Sequence, residues 1–301
     1  MRSIIQFNLV LLTLYAAGTA RAEQQEVRIS APGATISIEF ATAINETKSL
    51  EIISWIDHVA EQVSLPYGRF PVAAPRVLII PTRSRPWGDD SPVPFGRVTR
   101  RGGETVELYV DVDRPIDDMY ADWTATHEFS HLLLPRISWR QKWISEGFAS
   151  YYQNVLMART GRYSPEGAIR RLNEGFDRGR NSRPELSPNG AAEEGVRRAR
   201  YKIYWSGAAI ALLADIRLRE RSGGDESLDT VLGRFQQCCL PSQERWSGVE
   251  LFTRLDSLLE MPVFMPLYRQ YANTPGFPDT DEALSKPLVR EQIFTVRTSP
   301  H

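Results

Sequence analysis

Two kinds of hydrophobic pattern divide the chain. In the first part, apolar and polar residues alternate or form short apolar runs, as they do in strands. These predicted strands cover residues 27–30, 35–40, 77–81 and 105–111. A helix is predicted from a cap at Asn45 to about Val63, and from about residue 117 onward apolar residues recur mostly at helical spacing. The pattern therefore predicts an α+β fold, with a small mixed sheet subdomain at the N-terminus and a mainly helical subdomain after it.

The first residues have the pattern of a signal peptide. Arg2 supplies a positive charge, residues 4–17 are mostly apolar, and Ala20-Arg21-Ala22 matches a cleavage site with small residues. The apolar stretch is short for a membrane span, although an uncleaved anchor is an alternative. We therefore expect a signal peptide at 1–22, an α/β subdomain at 23–116 and a helical subdomain at 117–301. The protein is expected to be secreted or periplasmic, with no stable membrane association after cleavage.

Charge is balanced over the whole chain, with 36 Lys and Arg against 37 Asp and Glu. A nearly neutral chain does not attract a polyanion by its net charge, so we expect no nucleic-acid partner. The two cysteines, Cys238 and Cys239, are neighbours, and consecutive Cα atoms lie about 3.8 Å apart, closer than in an ordinary disulfide. Two thiols with no catalytic part are the favoured interpretation, with a strained vicinal bridge or an intermolecular bond as alternatives.

The segment from about Met119 to Leu134 is compatible with a helix and contains an H-E-x-x-H motif, with His127, Glu128 and His131 as its polar members. Four residues on a helix turn the chain about 40° past a full turn, so the two imidazoles project from one face. That spacing suits two ligands of one zinc ion, and the adjacent carboxylate suits a general base. The motif predicts a Zn²⁺ site with His127 and His131 as ligands and Glu128 as the base.

A catalytic zinc needs three protein ligands and one open position, so a further ligand is expected from another segment. Glu146 lies in an apolar stretch that follows a Pro-bearing turn, on a predicted helix that packs antiparallel to the first. We predict Glu146 as the third metal ligand. His58 is a weak candidate, because no second ligand follows it at helical spacing.

Residues 127–131, together with the W-I-S-E-G-F-A-S-Y-Y sequence at 143–152, resemble the gluzincin metallopeptidases, in particular the aminopeptidase N-like and glycyl aminopeptidase-like families. The Y-W-S-G sequence that begins at Tyr204 is similar to a helix of those families, and the likeness extends from about Trp123 to Leu232. The resemblance implies a thermolysin-like zincin fold, an active-site cleft between the two subdomains, and a peptide or protein substrate. It also implies that Tyr204 hydrogen-bonds the tetrahedral intermediate, with Tyr201 as the fallback if the helix register is shifted.

Two departures from the family pattern limit what the resemblance implies about specificity. The gap between His131 and Glu146 is short, and the G-x-M-E-N-like strand that anchors a substrate amine in those families has no clean counterpart. An Arg-rich segment at 95–104 stands in its place. Arg97, Arg100 and Arg101 either meet a carboxylate of the substrate or belong to a solvated basic loop.

The leading hypothesis for function is an exported zinc-dependent metallopeptidase. Two alternatives stay open: a catalytically inactive zinc-binding scaffold protein, and an amidase or endopeptidase that acts on cell-wall peptides. The polar segment at 162–200 is expected to be a lid over the cleft or a mobile connection, apart from a short helix at 165–172.

Overall fold

A computed structural model describes residues 26–83 and 90–295. The predicted signal peptide lies outside these residues. Within them, no helix is both long enough and apolar enough to cross a membrane.

A five-stranded mixed sheet forms the first part of the fold, in the order β1-β2-β3-β5-β4. Its strands are β1 (Val27–Ala31), β2 (Ala34–Phe40), β3 (Arg76–Pro81), β4 (Phe95–Thr99) and β5 (Thr105–Val110). The outer pairs β1/β2 and β4/β5 are antiparallel, whereas β2/β3 and β3/β5 are parallel. Because β4 is an edge strand, one side of it is free of pairing to another strand of this sheet.

Helix α1 (Glu46–Ser64) covers one face of the sheet and begins where the sequence predicted. The Asn45 side chain accepts a hydrogen bond from the Lys48 N–H (2.8 Å), which satisfies one of the free donors of the first turn. Ile52, Ile56, Val59 and Val63 are buried in the core shared with the sheet, whereas Leu50 of the same helix is 60% exposed. Alternate residues of β5 are buried in the same way, which explains why period-two patterning identified this strand.

The rest of the described chain is mainly helical. The helices are α2 (Ile116–Ala121), α3 (Thr124–Ser130), α4 (Lys142–Arg159), α5 (Pro165–Asn181), α6 (Pro188–Glu194), α7 (Val196–Arg221), α8 (Leu228–Cys239), α9 (Gly248–Asp256), α10 (Phe264–Tyr271) and α11 (Asp281–Ser285). A small parallel pair, β6 (Arg136–Ile137) and β7 (Arg245–Trp246), lies among them. The structure is therefore an α+β fold with a small sheet and a helical part, as the pattern predicted.

The prediction of a long polar connection at 162–200 is wrong. Helix α5 starts at Pro165, where Ser164 accepts a hydrogen bond from the Gly167 N–H (3.0 Å), and it continues well past the expected end. A Cβ on Gly175 or Gly179 would overlap Trp205 of α7, so these glycines let α5 pack closely on that helix. The segment is packed helix for most of its length, which excludes a structureless lid.

Helices α4 and α7 cross in backbone contact. A Cβ added to Gly147 of α4 would overlap the Gly207 backbone of α7, and one added to Gly207 would overlap the carbonyl oxygen of Trp143. Only glycine permits this approach. The crossing brings Tyr204, one turn before Gly207, beside Glu146, the residue before Gly147.

The oxidation state of the two cysteines differs from the favoured interpretation of two thiols. The structure joins Cys238 and Cys239 in a vicinal disulfide at the end of α8, with Cα atoms 3.8 Å apart.

Candidate metal centre

The predicted motif helix is interrupted just before the motif. Helix α2 ends at Ala121, Asp122 and Trp123 are extended or turn residues, and α3 then carries His127 and Glu128. Asp122 accepts a hydrogen bond from the Thr124 N–H (2.7 Å), which fixes the start of α3. His131 follows directly in a 3-10 turn, and its ring centroid is 4.9 Å from that of His127. The helical spacing therefore holds over the motif itself.

Glu146 of α4 meets both imidazoles. Its Oε2 is 3.3 Å from Nε2 of His127 and 3.6 Å from Nε2 of His131. All three side chains are largely buried. The structure thus brings together, at one oxygen and two ring nitrogens, the three residues that the sequence predicted as metal ligands.

The other nitrogen of each imidazole has its own partner. His127 Nδ1 is 2.8 Å from Oε1 of Gln153, and His131 Nδ1 is 3.0 Å from Oγ of Ser145. With the Nδ1 protons assigned to these acceptors, the Nε2 atom of each ring faces Glu146 and is the atom that a cation or a proton would bind. Such outer partners set the orientation and basicity of metal-ligating histidines.

Sequence reasoning did not identify Gln153 and Ser145, although both flank the predicted ligand on α4. Ser145 precedes Glu146 directly, and Gln153 follows it by two helical turns. Polar residues at these positions on a helix otherwise rich in buried apolar groups were the available signal.

Lys142 is a further member of the site. It lies one turn before Glu146 on α4, and its Nζ is 2.9 Å from Glu146 Oε1. The two carboxylate oxygens therefore have different partners: Oε1 is held by the ammonium group and Oε2 faces the imidazoles. The Coulomb attraction of Glu146 raises the pKa of Lys142, so this contact stays an ion pair at neutral pH.

Burial and charge act in opposite directions on the ligands. Burial lowers the pKa of His131 to about 3, so its Nε2 stays unprotonated and able to bind a cation. For Glu146, burial disfavours the anion, but the contact with His127 and the charge of Lys142 lower its pKa. For His127, burial is outweighed by the contact with Glu146 and by the Glu128 charge, which raise its pKa. A divalent cation bound at the Nε2 atoms would take the place of the proton that Glu146 and Glu128 favour on His127.

Glu128 faces the cleft beside the ligands. Burial raises its pKa to about 7, with the nearby Glu146 carboxylate adding to the effect and His127 opposing it. The edge strand β4 passes directly over this side chain, because a Cβ on Gly96 would overlap Glu128 Cγ. One ligand atom each from His127, Glu128 and His131 also lie within 4.8 Å of one another, so Glu128 is near enough to be a metal ligand itself.

Tyr204 contacts His127 and lines the cleft. Its ring stacks on the imidazole with centroids 5.7 Å apart and planes inclined by 6°. Burial and the Glu146 and Glu128 carboxylates raise its pKa well above the usual value, so the phenol keeps its proton. Tyr201 is 47% exposed and lines a neighbouring pocket, so the observed helix register places Tyr204 at the site.

The donor set fits zinc. Two imidazole nitrogens and a carboxylate oxygen form the His₂Glu combination of catalytic zinc sites, in which the fourth position stays open. The open side here is the cleft, which has a volume of about 830 Å³ and is bordered by β4, α3, α4 and α7.

Two of the three arginines in the predicted Arg-rich segment have internal partners. Arg97 bonds to Glu107 (2.8 Å), its register partner on β5. Arg100 is largely buried and donates to the carbonyl oxygens of His131 (2.8 Å) and Leu134 (2.9 Å). It thereby holds the end of the motif segment against β4, which is a structural role.

Comparison with known proteins gives a family match and a fold match. A model of the M61 glycyl aminopeptidase family matches residues 135–206, a segment that contains Glu146 and Tyr204. No curated protein matches the chain.

Several solved structures share the fold. An aminopeptidase N family protein from Idiomarina loihiensis has 14% identity, covers 87% of this chain and 49% of its own, and has a TM-score of 0.64. An M1 zinc metallopeptidase from Deinococcus radiodurans has 16% identity, coverages of 88% and 54%, and a TM-score of 0.56. Native yeast LTA4 hydrolase has 13% identity, coverages of 84% and 40%, and a TM-score of 0.55.

These findings confirm the predicted resemblance to the gluzincin zinc metallopeptidases. The fold is similar to that of the M1 aminopeptidases. The chain spans about half the length of the first of these structures.

Proposed function

We propose that the protein is a zinc-dependent metallopeptidase whose metal ligands are His127, His131 and Glu146. The observation that carries the proposal is the approach of one Glu146 oxygen to within 3.6 Å of both Nε2 atoms, from a different helix. The matched family and the zinc metallopeptidases of the same fold support it. In this proposal the fold is a thermolysin-like zincin, with its cleft between a sheet subdomain at 23–116 and a helical subdomain at 117–301.

Bound zinc would supply a Lewis acid that lowers the pKa of water toward neutrality and polarises a peptide carbonyl. The choice between Glu146 and Glu128 as third ligand rests on their surroundings. Glu146 has one oxygen fixed by Lys142 and the other aimed at both imidazoles, whereas Glu128 lies under the edge strand and faces the open side.

Glu128 acts as the general base. Glu128 lies beside the ligands and lines the cleft, so it can accept a proton from the attacking water and then give it to the leaving amine. The surrounding burial that raises the pKa of Glu128 also keeps bulk water away from the proton being moved.

Tyr204 acts as a hydrogen-bond donor to the oxygen on which negative charge develops. Its raised pKa keeps the O–H proton in place, and its stacking on His127 fixes the ring before substrate binds. A preorganised donor of this kind typically contributes about 10²–10³-fold to the rate.

The substrate is a peptide or protein, and the protein works outside the cytoplasm, in the periplasm or as a secreted enzyme. The basis for export is the N-terminal sequence pattern. The inactive zinc-binding scaffold and the cell-wall peptidase remain alternatives that the same experiments separate.

Zinc content and hydrolysis should be measured together on the wild type, Glu128→Gln and Glu146→Gln. We expect the wild type and Glu128→Gln to bind one zinc, Glu146→Gln to lose zinc affinity, and only the wild type to hydrolyse a mixed peptide library. If instead Glu128→Gln lost zinc and Glu146→Gln kept it, Glu128 would be the metal ligand and Glu146 the general base. Stoichiometric zinc without turnover of any peptide, peptidoglycan fragments included, would support the scaffold alternative instead.

A further inference from the structure

Three arginines that line the cleft form what we call the basic rim: Arg101, Arg136 and Arg245. Arg101 lies in the turn after the edge strand β4, Arg136 is in β6 and Arg245 is in β7. All three are exposed and line the cleft that contains the metal centre.

The small parallel pair β6/β7 sets two of these arginines side by side. Arg136 is the register partner of Arg245, and Ile137 is that of Trp246. In-register neighbours in a sheet project to the same face, so the two guanidinium groups extend together. Two like charges side by side gain no Coulomb stabilisation from each other. The arrangement therefore has no evident benefit to stability.

The rim arginines differ from the other cationic side chains of the cleft in their contacts. Arg97, Arg100 and Lys142 each contact an acceptor at 2.9 Å or less, as described above. Within residues 26–83 and 90–295, none of the three rim arginines has an ion pair or a side-chain hydrogen bond. Three guanidinium groups are thus available to an anion that enters the cleft.

The cleft as a whole carries a strong positive bias. Seven cationic side chains line it, although Arg97 and Arg100 are paired with Glu107 and Glu104, which lie outside the lining. The only carboxylates among its described lining residues are Glu128 and Glu146. Both carboxylates belong to the metal centre, where a divalent ion would neutralise them. Because the whole chain has a net charge of only −1, this bias is local to the cleft. A cationic cleft raises the local concentration of anionic ligands and disfavours cationic ones.

The rim adjoins the metal centre. Arg136 is five residues after His131, and its charge contributes, after burial, to the lowered pKa of Arg100, whose guanidinium holds the His131 carbonyl. A peptide extended along β4 across Glu128, which lies under Gly96, would run toward Arg101 in the turn that follows the strand. An edge strand can hold such a peptide by main-chain hydrogen bonds while side-chain contacts select its sequence.

We infer that Arg101, Arg136 and Arg245 form a carboxylate-binding subsite, which selects peptides with a carboxylate near the scissile bond and disfavours a free amine there. This inference rests on the proposed peptidase function and names its substrate class. The carboxylate belongs either to an Asp or Glu side chain or to the C-terminus of the peptide.

The subsite can be tested by binding, without turnover. The full chain with Glu128→Gln, loaded with zinc, is titrated with three peptide sets that share one neutral sequence. The first has both termini blocked and one Glu placed at each position in turn, the second has Gln at those positions, and the third is the Gln peptide with a free C-terminal carboxylate. We expect at least one Glu peptide, or the peptide with the free C-terminus, to bind about tenfold tighter than the blocked Gln peptide, equivalent to about 1.4 kcal/mol.

Rim variants assign that preference to its residues. Adding Arg136→Gln and Arg245→Gln should remove the preference and leave the affinity of the blocked Gln peptide unchanged. The matched control is Arg140→Gln with Arg269→Gln, which removes two exposed charges that do not line the cleft and should preserve the preference. The preference of the protein without rim changes should also fall as salt rises from 50 to about 500 mM.

The outcomes separate this inference from the proposed function. Tight binding of the internal Glu peptides identifies side chains as the carboxylate source, and tight binding of the third set identifies the C-terminus. Equal affinity for all three sets, or a preference that survives the rim substitutions, overturns the subsite. Zinc content and hydrolysis of neutral peptides by the wild type would still decide the peptidase proposal in that case.

Discussion

The crossing of α4 and α7 gives a sharp prediction, because a single methyl group at Gly207 cannot be accommodated. The added Cβ would overlap the carbonyl oxygen of Trp143 and lie 2.7 Å from the Cα of Gly147. These are backbone atoms, so no change of side-chain rotamer relieves the overlap. The two helices would have to move apart for Gly207→Ala to fold.

Overpacking of this kind typically costs about 1–3 kcal/mol. We expect Gly207→Ala to lie at the upper end, about 3 kcal/mol, because the separation of the helices also loosens buried contacts along their length. The same movement would shift Tyr204 relative to Glu146, so zinc affinity should fall as well.

Gly233→Ala is the matched control. Gly233 lies inside α8, and a Cβ there would meet only Tyr67 Cδ1 at 3.9 Å, an ordinary contact. Alanine in a helix interior is favoured over glycine by about 0.5–1 kcal/mol, so this variant should be more stable than the wild type.

Urea unfolding followed by circular dichroism measures both variants, with stability compared through the midpoint at constant slope. A free energy of unfolding for Gly207→Ala within about 0.5 kcal/mol of the wild type would refute the backbone contact as described. If both variants lost the same free energy of unfolding, the loss in Gly207→Ala would not come from the crossing of α4 and α7.

Three further substitutions test other contacts. Lys142→Met should lower zinc affinity about 10–100-fold, because Glu146 loses the partner that orients it, while Lys142→Arg should retain most of the affinity; competition with a chelator measures both. Gln153→Leu removes the acceptor for His127 Nδ1 and should lower zinc affinity by a similar factor without unfolding the protein. Lys202→Met should raise the free energy of unfolding by about 1 kcal/mol, because Lys202 Nζ is buried with no hydrogen-bond acceptor among the described residues; a lower urea midpoint would contradict this.

Features that depend on local spacing were predictable from the sequence. The two histidines lie on one face because four residues make about one helical turn, and this holds in any fold that keeps the segment helical. The meeting of Glu146 with these histidines was predicted because a catalytic zinc needs a third protein ligand and a following helix could pack antiparallel to the first, and the family resemblance agreed with it. Spacing alone does not say how α4 lies against α3.

Features that depend on tertiary contacts were not predictable. The contact of Gln153 with His127 exists only because α4 crosses α3 at one particular angle. In the segment 162–200, abundant Gly, Pro and Arg suggested a mobile connection. The structure shows that Gly175 and Gly179 serve close packing against Trp205, a use of glycine that composition does not distinguish from flexibility.

Which arginines have internal partners was likewise not predictable from the sequence. The Arg-rich segment was expected either to contact a substrate carboxylate or to be a solvated basic loop, yet Arg97 and Arg100 are bound internally. The rim arginines, which have no ion pair among the described residues, lie in the turn after β4, in β6 and in β7. These segments are distant in sequence and line one cleft only in the folded chain. Two in-register arginines repel each other, and neither has a counter-charge among the described residues, which fits a role in which a ligand supplies that charge during function.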